Sequence, residues 1–102
     1  MNFISEEKDL QFVEGLQALY FYTSWMPYHK KMLVMIDKME EKFKDIPFTA
    51  VNADDFKSQC KRFDIESVPT IVVLKGGKEI KRINGLVLTS AFRSALADIC
   101  TK

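Results

Sequence analysis

A change of hydrophobic period across residues 18–52 constrains the fold of this chain more than any other feature. Residues 18–23 form a nearly continuous apolar run, which is typical of a strand covered on both faces. Residues 47–52 repeat the strand pattern. Between them, apolar residues recur at helical spacing, at Met32, Met35, Ile36, Met39 and Phe43. A strand, a helix and a strand in this order predict a right-handed β-α-β crossover that joins two parallel strands.

The second half of the chain has the pattern of a hairpin followed by a helix. Residues 70–74 predict a buried strand, Gly76 and Gly77 predict a tight turn, and residues 79–84 alternate as a half-exposed partner strand would. Residues 89–99 predict a helix that packs on the sheet through Phe92, Ala95, Leu96 and Ile99.

Two further short helices are predicted from caps and apolar spacing. Ser5 precedes two glutamates and predicts the start of a helix over residues 6–16, with Leu10, Phe12, Val13 and Leu16 mostly on one face. Asp54 or Asp55 predicts the N-cap of another helix, whose apolar face carries Phe56, Cys60 and Phe63.

Composition narrows the class of protein. With 102 residues, 47% hydrophobic and 28% charged, residues 1–102 are expected to form a single globular domain. A net charge of +1 gives no broad field for nucleic acid or anionic membrane, so neither is an expected partner. The chain has no long apolar run and no basic, apolar leader, which predicts a cytoplasmic location and free thiols at Cys60 and Cys100.

Two motifs and the order of elements resemble the thioredoxin family along nearly the whole chain. Ser24-Trp25, followed by four residues and then Lys30, resembles the active-site segment of that family. Residues 67–70, Ser-Val-Pro-Thr, resemble its turn with a cis-proline at Pro69. The resemblance implies an α/β thioredoxin-like fold, with a central mixed sheet and helices on both faces.

The cysteines of the family motif are missing. The resemblance places Met26 and His29 at the two cysteine positions, so residues 26–29 read Met-Pro-Tyr-His in place of Cys-X-X-Cys. Tyr20 stands where the family often has a buried acid. Methionine has no ionisable thiol and histidine cannot close a disulfide, so dithiol exchange cannot run here. The resemblance therefore implies a degenerate active site, and whether the protein is an enzyme stays open.

The resemblance also implies a groove that accepts an extended peptide. An exposed cluster of Trp, Met and Tyr would suit an apolar anchor. The predicted function is thus a module that binds a peptide or protein partner, without cofactor or metal. The candidate binding residues are Trp25, Met26, Pro27, Tyr28, His29, Val68 and Pro69.

Three alternatives remain open for these residues. His29, in the first turn of a helix, is expected to be neutral with a lowered pKa, and it can equally be an ordinary surface residue. With Met26 it offers only two donors to a soft ion such as Cu(I), too few for a convincing site. A redox-homeostasis protein would instead use a single thiol, Cys60 or Cys100, with glutathione as one co-substrate. The apolar face around Cys60 predicts a buried thiol with a raised pKa.

Overall fold

The computed structural model describes residues 1–100 and contains a five-stranded sheet. Across the sheet the strand order is β1-β3-β2-β4-β5. The strands are β1 (Asn2–Phe3), β2 (Leu16–Tyr22), β3 (Phe48–Asn52), β4 (Thr70–Lys75) and β5 (Lys78–Asn84). The α-helices in these residues are α1 (His29–Lys42), α2 (Lys57–Arg62) and α3 (Thr89–Cys100).

Strand β2 lies at the centre and is paired on both edges. It runs parallel to β3, with Tyr20 opposite Ala50, and antiparallel to β4, with Phe21 opposite Thr70. The strand-helix-strand order and the parallel pairing predicted for residues 18–52 are therefore confirmed. Strands β4 and β5 form the predicted hairpin, and Gly76 and Gly77 in its turn both have positive φ, which favours glycine at each position.

Strand β2 sends its apolar side chains alternately to the two faces of the sheet, and helices cover both faces. Ala18 and Tyr20 belong to one buried cluster, against which α1 and α3 pack. Leu19 and Phe21 belong to the second buried cluster, on the opposite face. Successive strand residues point to opposite faces, so this alternation is what separates the two cores.

The first core is filled by the helical residues that the sequence pattern singles out. Met32, Met35, Ile36 and Met39 of α1 are all buried, and Phe92 and Leu96 of α3 are fully buried. The ring of Phe92 meets that of Phe48 edge to face, at 6.2 Å between centroids. The helical predictions for α1 and α3 are thus confirmed.

The helix predicted over residues 6–16 is wrong. Only a single 3-10 turn forms there, at Glu7–Asp9, and its N-cap is Glu6 rather than Ser5. The carboxylate of Asp9 accepts from the backbone N–H groups of Ser5 and Glu6, at 3.1 and 3.0 Å. Leu16 pairs with Lys75 as the first residue of β2, so sheet pairing overrides the helical spacing of the segment.

The capping residue predicted for α2 is also wrong. Its N-cap is Phe56, and no side chain supplies a cap hydrogen bond there. The carboxylate of Asp54 instead accepts from the indole of Trp25, at 2.9 Å. Strand β1, which pairs with β3, has no counterpart among the sequence-based predictions. No helix in residues 1–100 has the length and apolar character needed to cross a bilayer.

Replacing Phe92 with alanine tests the contribution of the first core. Phe92 is fully buried, so Phe92→Ala is expected to lower the free energy of unfolding by about 3–5 kcal/mol. Urea denaturation followed by circular dichroism measures the change. Ile80→Ala, at a half-exposed position on β5, is the control and should cost less than about 1 kcal/mol. Equal losses for the two variants would contradict the assignment of the core.

Candidate functional site

Three connections of the chain meet at one end of the sheet. The parallel pairing of β2 with β3 places Tyr22 beside Asn52, and the antiparallel pairing with β4 places Phe21 beside Thr70. The loops after β2 and β3 and the turn before β4 therefore lie together. The backbone N–H of Gly85, after β5, donates to the carbonyl of Pro69 at 2.8 Å. The peptide bond between Val68 and Pro69 is cis.

Residues 23–29 form consecutive turns that lead into α1. The backbone N–H of Met26 donates to the carbonyl of Thr23, and that of His29 donates to the carbonyl of Met26, both at 3.3 Å. Tyr28 is the N-cap of α1 and has no side-chain cap hydrogen bond. Pro27 lies before the helix, where its lack of an N–H removes no helical hydrogen bond. Pro27 and Tyr28 are both exposed.

The ring of Trp25 is exposed to solvent, and a hydrogen bond from its indole nitrogen fixes its position. Its side chain is 72% exposed, and its Nε1–H donates to Oδ2 of Asp54 at 2.9 Å. The backbone N–H of Asp54 in turn donates to Oδ1 of Asn52 at 2.9 Å. Sequence reasoning missed Asp54 as part of this site, because a contact between residues 29 positions apart leaves no local signal.

Met26 is not part of the exposed cluster that the sequence predicted. It is only 7% exposed and belongs to the buried cluster with Met35 and Ile36. Val68 is half-buried and packs against the same cluster, and Pro69 is buried. The expectation that Met26 offers an apolar anchor to solvent is therefore wrong, because its thioether fills the core beneath the loop.

Tyr20 and His29 are joined by a hydrogen bond that assigns the histidine tautomer. The hydroxyl of Tyr20 lies 3.0 Å from Nδ1 of His29, and Tyr20 is fully buried. Among residues 1–100 this hydroxyl has no other hydrogen-bond partner. A buried hydroxyl needs an acceptor for its proton, so Tyr20 donates and Nδ1 accepts. The hydrogen of the neutral imidazole is therefore on Nε2.

Three stacked rings shield this hydrogen bond. The ring of Tyr22 stacks on His29 at 4.6 Å between centroids, with a 9° angle between planes. Tyr20 stacks on Tyr22 at 5.3 Å. Burial lowers the pKa of His29, which confirms the direction expected from the sequence. Burial, with a contribution from Tyr22, raises the pKa of Tyr20. Both groups are therefore neutral near pH 7.

The two thiols lie outside this constellation. Cys60 is half-buried on α2, and its Sγ lies 3.9 Å from the carbonyl oxygen of Ala53. Burial, followed by the charge of Asp54, raises the pKa of the Cys60 thiol, as the sequence predicts. Cys100 is exposed at the end of α3, and neither cysteine is in a disulfide. Within residues 1–100, no three His, Cys, Asp or Glu side chains are grouped as a metal site would require.

Tyr20→Phe tests the assigned hydrogen bond through the single histidine of the chain. The Tyr20 hydroxyl donates to the neutral imidazole, so its removal should raise the pKa of His29 relative to the parent and cost about 1 kcal/mol of stability, while burial still holds that pKa below its ordinary value. In the parent, unfolding exposes a histidine of higher pKa, so stability should fall as the pH drops below about 6.5. Proton NMR and urea titrations across this range measure both effects.

Tyr22→Phe is the matched control for this experiment. It also removes one phenolic hydroxyl from the stack, but it leaves the donor to Nδ1 in place. The pKa of His29 should then stay at its parental value. A parental pKa at or above about 6.5, or equal shifts in the two variants, would contradict the assignment.

Comparisons with known proteins agree with this architecture. Thioredoxin-2 of Saccharomyces cerevisiae is 30% identical over 85 residues, which cover 83% of this chain and 81% of the yeast protein. A mutant thioredoxin from Halobacterium salinarum superposes with a TM-score of 0.84 at 15% identity, covering 95% of this chain and 88% of that chain. The thioredoxin from Trypanosoma brucei brucei gives a TM-score of 0.80 at 21% identity, over 87% of this chain and 78% of that chain.

These superpositions confirm the α/β thioredoxin-like fold that the sequence motifs imply. The family model described as Thioredoxin matches residues 4–98, which is nearly all of the chain. On this match and the yeast relative, the chain belongs to the thioredoxin family.

Proposed function

We propose that this protein is a peptide-binding member of the thioredoxin family without dithiol-disulfide exchange at its degenerate site. One observation carries the proposal: the residues that the family resemblance places at the two cysteine positions, Met26 and His29, are engaged within the fold. Met26 is buried in the core, and Nδ1 of His29 accepts a hydrogen bond from Tyr20. Exchange needs an attacking thiolate and a resolving thiol, and this site supplies neither.

The residues that remain accessible have the chemistry of a binding surface. Trp25 is 72% exposed, Tyr28 is 45% exposed, and Pro27 lies between them in sequence. Large aromatic side chains contribute much of the binding energy at interfaces because they bury a wide area for few rotatable bonds. The turn at Val68 and Pro69 lies at the same end of the sheet as this loop, as the pairing of Phe21 with Thr70 requires.

His29 adds a polar contact to this proposed surface. Its Nδ1 is occupied by Tyr20, so the neutral ring keeps an Nε2–H as its remaining donor. A backbone carbonyl of an extended peptide is a suitable acceptor. Function without a cofactor, a cytoplasmic location and a single domain over residues 1–102 stay predictions that accompany this proposal.

Trp25 is the natural reporter for peptide binding, because it is the only tryptophan of the chain. Peptides selected by phage display on the purified protein should shift its fluorescence emission to shorter wavelength as the ring leaves water. Trp25→Ala should lower the affinity for such a peptide by about thirty-fold or more, as expected for an aromatic residue at the centre of an interface. Calorimetry or polarisation measures the affinity of the variant, which has no tryptophan.

Ile80→Ala is the matched control, since Ile80 is a half-exposed apolar residue on β5, outside the proposed surface. It should change the affinity by less than about two-fold. Failure to select any peptide would overturn the proposed function. Selected peptides that bind Trp25→Ala as tightly as the parent would overturn it as well.

The competing hypothesis, a redox protein with a single thiol, makes a different prediction. Of the two thiols, Cys60 has a raised pKa and is half-buried, which disfavours the thiolate. Cys100 is the exposed thiol. Under the proposed function, insulin reduction by dithiothreitol should proceed at the uncatalysed rate, and Cys60→Ala/Cys100→Ala should leave that rate unchanged.

A dithiol thioredoxin provides the positive control for this assay. Acceleration that disappears in the double cysteine variant would identify a single thiol as the nucleophile and contradict the proposed lack of exchange activity. The two single variants, Cys60→Ala and Cys100→Ala, would then show which sulfur attacks.

A further inference from the structure

Two adjoining hollows lie between α1 and the loop that leads into α3. The first, of about 410 Å³, is lined by Lys31, Val34 and Lys38 of the helix. The second, of about 300 Å³, is lined by Leu86 and Leu88 of the loop. Lys31, Met35 and Thr89 line both hollows, so the two adjoin. We name them together the α1–loop groove.

The groove exposes more apolar surface than the fold requires. Leu88 is 77% exposed, Val34 is 57% exposed and Leu86 is 45% exposed, while Met35 is buried beneath them. The core-facing side of α1 is occupied by its methionines and Ile36, so Val34 lies outside the buried stripe. Adjacent apolar side chains that are left exposed in this way are characteristic of interaction surfaces.

Positive charge lies along the α1 side of this apolar surface. Lys30, Lys31 and Lys38 are exposed and line the first hollow. The ion pairs formed among residues 1–100 involve Met1 with Glu40, Lys8 with Glu6, and Arg82 with Glu79. In the described part of the chain, no acidic side chain lines either hollow. A ligand complementary to the groove must therefore combine negative charge with apolar side chains.

From this complementarity we infer that the α1–loop groove binds an acidic segment of a partner protein. Two large apolar side chains of the segment occupy the two hollows, one beside Val34 and the other beside Leu88. Carboxylates of the segment contact Lys31 and Lys38 at the rim. The groove has an apolar centre and a charged rim, which suits a segment that carries both large apolar side chains and carboxylates.

A protein segment fits this groove better than other anionic ligands. Nucleic acid would neutralise the lysines but would leave the hollows at Leu88 and Val34 without an apolar occupant. A bilayer surface is too broad to enter two concave hollows. The inference does not rest on the proposed peptide site, because neither Trp25 nor Val68 lines the α1–loop groove.

A fluorescein-labelled peptide of alternating glutamate and leucine is the probe that tests this inference. Polarisation should show binding that weakens as salt is raised, and a glutamine-leucine peptide should bind less tightly. Lys31→Glu/Lys38→Glu replaces two lysines that attract the carboxylates of the peptide with two glutamates that repel them. It should lower the affinity for the acidic peptide by about ten-fold or more. Lys57→Glu/Lys61→Glu makes the same charge change on α2, away from the groove, and should alter the affinity by less than about two-fold.

Two further variants separate this site from the proposed function and from a purely electrostatic effect. Leu88→Ser removes an exposed apolar side chain without disturbing the core and should weaken binding several-fold, whereas Trp25→Ala should have no effect. Equal losses for the two lysine pairs would overturn the inference. So would equal affinity for the two peptides, or binding to phosphatidylserine vesicles with none to the acidic peptide.

Discussion

The architecture depends on β2, which is hydrogen-bonded along both edges and buried on both faces. Its pairing with β3 in parallel and with β4 in antiparallel fashion makes the sheet mixed. Its alternation of Ala18 and Tyr20 with Leu19 and Phe21 creates one core on each face. A slip of one residue would exchange the two sets of side chains. It would also remove the hydroxyl of Tyr20 from His29, so the register of this strand positions the candidate site as well.

Tyr20, Met26 and His29 are physically connected within the fold. A buried phenol needs an acceptor, and the imidazole at the start of α1 provides one at 3.0 Å. Met26 fills the core beneath the same loop, close to the apolar side of α1. Each of the three side chains therefore has a partner within the fold. Trp25, Pro27 and Tyr28 of the same loop remain exposed.

Helices and strands could be predicted where the apolar residues follow one clear pattern. In α1 they recur at helical spacing, and in β4 they form a continuous segment, so burial of these side chains decides the conformation. Residues 6–16 show where this fails: Leu10 is buried, but Phe12 and Val13 are exposed, and Leu16 is drawn into β2. At the site, the absence of cysteine from residues 26–29 could be read from the sequence. The burial of Met26 and the bond from Trp25 to Asp54 could not, because both depend on contacts made only after the sheet has formed.

The outer strand β5 has a consequence for how partners can approach. Its sequence, Lys-Glu-Ile-Lys-Arg-Ile-Asn, places charged side chains along the free edge of the sheet, and Arg82 also donates to the backbone carbonyl of Asp64. Charged side chains on an edge strand oppose the addition of a foreign strand. The sheet therefore resists extension into aggregates at β5, where a neighbouring molecule meets charged side chains before it can pair with the backbone.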